Sequence, residues 1–100
     1  MVLRSATSGS MTEDAAATLA LDALAFVAAS EGALDRLVAE SGIDAADLRA
    51  RAAEPEVLVA VLDFLLTSEA LLVEFCDGGS GDVRAVHIAR HVLAQVRGGA

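Results

Sequence analysis

His87 and His91 stand four residues apart in a stretch that reads as helix, a spacing that turns two imidazoles to one side and recurs in helical metal sites. Two ligands are half of what a structural zinc ion takes, so Cys76, Asp77, Asp82 or a second chain would have to supply the rest. The neighbours favour a plainer role. No Glu follows the first histidine as in a zinc-protease helix, Arg84 and Gln95 continue the same stripe, and Arg90 adjoins it. The pattern therefore reads as the solvated face of an amphipathic helix, and no metal or other cofactor is expected. Cys76 with a histidine would make a nucleophile and base, but no third orienting group or oxyanion-forming motif accompanies them. A free thiol at the end of an apolar stretch reads instead as a small buried hydrophobe.

Three other features carry charge or bind it. The run Gly78-Gly79-Ser80-Gly81 leads into a helix start, where an anion would be welcome. It lacks the lysine of a nucleotide-phosphate loop and follows a helix where a dinucleotide fingerprint needs a strand, so it reads as a linker. Asp63 interrupts the apolar run Val57 to Leu66, and buried there it would mark a site by a raised pKa. Its stripe-mates Glu56, Ala60 and Thr67 make it an exposed edge instead, and Asp22 on the first helix reads the same way. Arg84, Arg90 and Arg97 can pair with the acidic body of the chain or with an acidic partner. As surface pairs within the chain they would contribute only about 0–1 kcal/mol each.

Holding these residues requires helices, and their ends are legible. Residues 1–10 show no periodicity and are expected as a disordered arm, with Met11 a second possible start of translation. Ser10 and Glu13 have capping-box spacing ahead of a helix from about Met11 to Ala29, with Leu19, Ala20, Ala23, Leu24, Val27 and Ala28 inward. Ser30 to Gly32 interrupt it. Leu34, Leu37 and Val38 then line a short helix ending at Gly42, a residue that readily adopts the left-handed conformation. Asp44 is the next expected N-cap, with Asp47 near the positive end of the helix dipole and Ile43 spaced to staple against Leu48. Pro55 ends that turn and opens a helix through the apolar run. Thr67 and Ser68 break it, and a further helix follows with Leu71, Leu72, Phe75 and Cys76 inward. Asp82 caps a last helix to about Arg97 that turns Val86, Ala89, Leu93 and Val96 to the core. The expected fold is all-α: residues 11–97 as one compact bundle of five to six short helices with steep crossings and no sheet.

Composition narrows the function further. The chain has 100 residues, 55% of them apolar, which is too hydrophobic for a disordered tail and enough for one domain. Its apolar content is mostly Ala, Leu and Val, with three Phe and no Trp or Tyr, so it offers little for stacking bases or sugars. The net charge is −8, and it divides into −10 over residues 1–81 and +2 over residues 82–100. Such a body repels phosphate backbones, which argues against nucleic acid and anionic membranes as partners. A single cysteine forms no internal disulfide, no uncharged apolar run is long enough to span a bilayer, and Glu13 and Asp14 stand where a signal peptide is basic. A cytoplasmic protein is expected.

The segments Asp22-Ala23-Leu24-Ala25-Phe26-Val27-Ala28, Ser41 to Arg49, Val57 to Leu66 and Glu69 to Phe75, taken together, carry a resemblance. From about Ala17 to Cys76 the chain resembles a bacterial family of short all-helical proteins of unknown function, found mostly in alphaproteobacteria. The resemblance implies an all-α fold and a cytoplasmic protein, and it brings no activity, cofactor or catalytic residue with it. The last helix lies beyond the part that carries the resemblance. From the residues themselves, the expected function is a small non-enzymatic interaction module of the regulatory-adaptor kind that docks on a protein partner or a second copy. Arg84, His87, Arg90 and His91 are its candidate contact residues. The alternative is a metal- or small-ligand-binding protein using the His87/His91 face. Catalysis is not expected, because no nucleophile, base and oxyanion donor converge.

Overall fold

Six helices make up residues 11–79 and 81–99, the part of the chain that this computed structural model describes. They are α1 (Glu13–Ala29), α2 (Ala33–Ser41), α3 (Ala45–Ala50), α4 (Pro55–Thr67), α5 (Glu69–Asp77) and α6 (Val83–Gly99), and no strand occurs among the described residues. The all-α expectation holds. Ser10, the expected first cap, lies outside the described residues. Thr12 takes the role, its Oγ1 accepting from the Ala15 N–H at 3.0 Å, so the helix starts at Glu13.

The other ends follow local chemistry. Gly32 and Gly42 flank α2 with φ of 78° and 75°, left-handed values that a side chain would strain. Asp44 stands at the N-cap position of α3 as expected, but its side chain makes no capping hydrogen bond. Pro55 occupies the first turn of α4, where its missing N–H has no bond to lose. Asp82 caps α6, its Oδ1 accepting from the Ala85 N–H at 2.8 Å.

The core is assembled from α1, α4 and α6, which share the most extensive contacts. Helix α4 is apolar almost all round and buries Val57, Leu58, Val59, Val61, Leu62, Phe64 and Leu65. Small residues on α1, namely Ala16, Ala20 and Ala23, are wholly buried and bring its backbone close to its neighbours, with Leu19 and Val27 filling the space beyond them. Ala28 was expected on this face and is exposed, because it lies one residue, about 100°, round the helix from buried Val27. Helix α6 adds one stripe of Val86, Ala89 and Leu93. The remaining helices close the ends: α2 turns 119° from α1 and inserts Leu37, α3 inserts Leu48, and α5 packs Phe75 against Phe26 with ring centroids 5.6 Å apart.

One tie crosses the fold at the break between α4 and α5. The Arg36 guanidinium of α2 lies over the Phe64 ring, 5.4 Å from its centroid, and donates to Ser68 Oγ at 3.0 Å. This satisfies Ser68, the one buried polar residue among those described. Among the described residues no single helix is long and apolar enough to cross a membrane.

Candidate functional site

The structure divides the four contact residues read from the sequence. Arg84, His87 and His91 are exposed along one face of α6, with Gln95 Nε2 3.1 Å from His91 Nε2. Arg90 precedes His91 by one residue and so points about 100° away. It is half-buried, and its Nε donates to Oδ1 of Asp63 on α4. That hydrogen bond, and then the carboxylate's charge, push the Arg90 guanidinium pKa above its ordinary value, which keeps the cation fixed. Asp63, expected as an exposed edge, is half-buried at the edge of α4, because Arg90, from 27 positions away, packs against it. Arg97 lies where side chains are outside the described residues.

Neither histidine is joined to Cys76 by a hydrogen bond among the described residues. No group of three or more His, Cys, Asp or Glu residues among them comes together as a metal site. Cys76 is half-buried against the core, and burial, then the nearby Asp82 and Asp77 carboxylates, push its thiol pKa up. A neutral thiol is a poor nucleophile. The glycine linker takes positive φ at Gly79 and Gly81, and a Cβ on Gly81 would come within 3.3 Å of Leu19 Cδ1. Gly81 thus serves a tight approach to α1, while Ser80 lies outside the described residues.

A concavity lies elsewhere, between α2 and α4, with a volume of about 190 Å³. Its floor is Leu37, Ala60 and Phe64, and its rim is Glu40, Ser41, Asp63 and Thr67. The rim is rich in acceptors. Thr67 has already donated its hydroxyl to the Phe64 carbonyl at 2.9 Å, and Ser41 Oγ accepts the Ile43 N–H at 3.1 Å. Asp63 uses Oδ1 on Arg90, and Oδ2 has no partner among the described residues. Glu40 is exposed and forms no ion pair among them. Sequence reading identified the α4 stripe but missed the groove. The available signal was Ala60, a small residue amid that stripe, which leaves a gap wherever another helix crosses it.

A family model described as "Protein of unknown function (DUF3572)" matches residues 13–96. The match therefore reaches through the part of α6 that holds both histidines, which the sequence resemblance had left outside. No curated protein and no solved structure matches the chain.

Proposed function

This chain belongs to that family of unknown function, and we propose that it is a small non-enzymatic protein-interaction module that docks its partner at the α2–α4 groove. The carrying observation is that side chains of the core, Leu37 and Phe64, floor an open concavity under a polar rim. Its size matters. Pockets for cofactors and drug-sized ligands run about 300–1,000 Å³, whereas about 190 Å³ suits a single inserted side chain. The large apolar residues exposed among those described, Leu21, Val73 and Val83, belong to three different helices. A photo-crosslinking residue placed at Thr67, at Glu40 or at His87 of the full chain tests the site. Crosslinks to one protein from Thr67 and Glu40, but not His87, are the expected result. Crosslinks from His87 alone would move the docking surface to the Arg84, His87 and His91 face of α6, and none from any position would overturn the reading. Metal binding through His87 and His91 has no third ligand among the described residues to support it, and elemental analysis of the purified protein tests it.

A further inference from the structure

Resting on the groove as a docking site, we infer that its occupant is an arginine side chain from a basic segment of a partner protein. The chemistry of the rim selects the charge. Every polar group there can accept a hydrogen bond, with Ser41 alone keeping a hydroxyl proton to donate, two of the four are carboxylates, and the cations beside the groove are engaged: Arg90 with Asp63 Oδ1, Arg36 with the Phe64 ring and Ser68 Oγ. Glu40 is left as a carboxylate with no cation of this chain upon it among the described residues, and Asp63, its charge shared with Arg90, keeps Oδ2 as a further acceptor.

The floor selects the stem. Half-buried Ala60 and the edge of Phe64, with Leu37 wholly buried beneath them, give an apolar bed on which methylenes can lie while a charged head stays at the rim, the usual division of an arginine between oil and water. A guanidinium also matches a carboxylate with two parallel N–H donors, where an ammonium meets it as a point charge. Within the chain Arg36 already sets its guanidinium over the Phe64 ring and donates to a hydroxyl, so this part of the fold accommodates a guanidinium against an aromatic face. A second copy of the chain is the weaker occupant on charge. Each copy carries a net −8, so two copies repel at long range, whereas a basic segment is drawn toward a body of −10.

The test uses the full chain and three small probes, N-acetyl-arginine amide, its lysine counterpart and its uncharged citrulline counterpart, followed by amide NMR shifts. The expected result is saturable shifts confined to residues 37–41 and 60–67, with arginine binding at least threefold tighter than lysine and tenfold tighter than citrulline. Glu40→Gln should weaken the arginine probe at least fivefold, and Arg84→Ala should leave it unchanged. Glu40 is exposed, so the Gln variant keeps its fold, and its melting temperature verifies this. Equal binding of arginine and citrulline, shifts spread over the whole acidic surface, or no effect of Glu40→Gln would each overturn the inference. So would shifts of the same residues on raising protein concentration alone, which would assign the groove to a second copy. If crosslinks map to the groove but the probes show no preference for arginine, the docking site stands and its proposed chemistry falls.

Discussion

Helices α4 and α6 pack along each other, yet they use their residues in different ways. Seven of the 13 residues of α4 are buried, so nearly every turn of it contributes to stability. Among the described residues helix α6 fully buries only Val86, Ala89 and Leu93, packs Ala85, Val92 and Ala94 partly against the core, and presents Arg84, His87 and His91 to solvent. A helix that is apolar all round leaves almost no room for function on its own surface. Its one polar stripe is therefore informative, and that stripe forms one wall of the groove. An amphipathic helix has a whole free face, and exposure there says less about use.

Substitutions can break this contrast, and the largest effects belong to the core. Leu62→Ala on α4 and Leu93→Ala on α6 each empty a wholly buried site, and each should lower stability by about 2–5 kcal/mol in urea denaturation. The helices should differ in how many positions respond: an alanine scan finds losses round most of α4 and along a single line on α6. The double variant His87→Ala/His91→Ala should leave the melting temperature unchanged. A large loss there would mean that the outer face of α6 is part of the fold.

Smaller effects sharpen the comparison at the helix ends and between the helices. Asp82→Ala removes an observed cap from α6 and should cost about 1 kcal/mol. Asp44→Ala, at a cap position with no side-chain bond, should cost far less in the same assay. The Arg90–Asp63 pair links α4 to α6 directly. Both side chains are partly solvated, at 39% and 48% exposed, so a double-mutant cycle should return about 0–1 kcal/mol, falling as salt is added. A larger coupling energy would make that pair a structural lock.

The smallest effect concerns Cys76. Its pKa is raised in the fold, so any stability it contributes is fully present below the ordinary thiol range and is lost as pH rises through the higher folded value. At pH 8 iodoacetamide should alkylate it more slowly in the folded chain than in urea. Equal rates would show that neither burial nor the Asp82 and Asp77 charges act on it.

Local signals carried the sequence reading wherever a few adjacent residues decide the outcome. Gly42, Pro55 and Asp82 mark their boundaries because backbone conformation and capping act within one turn. Asp44 shows the limit of that logic: its position was legible, and its missing hydrogen bond was not. Ala28 shows another, since repeating alanines and leucines define a face only to within a residue or so. For the candidate site, Asp63 was recognised as an edge residue and Arg90 as a cation in search of a partner. That they meet each other could not be read from their spacing.

Residue order alone establishes a bundle of short helices, where most of those helices end, and which stripes turn inward. Periodicity and capping chemistry are interactions among near neighbours, and they survive without knowledge of the fold. That Arg90 is held by Asp63, that Arg36 reaches Ser68 from 32 positions away, and that α2 crosses α4 beside Ala60 to leave an acid-rimmed groove emerges only in the folded chain. Those outcomes depend on the angle and distance between helices, which the packing of the whole core sets and no short stretch of residues encodes.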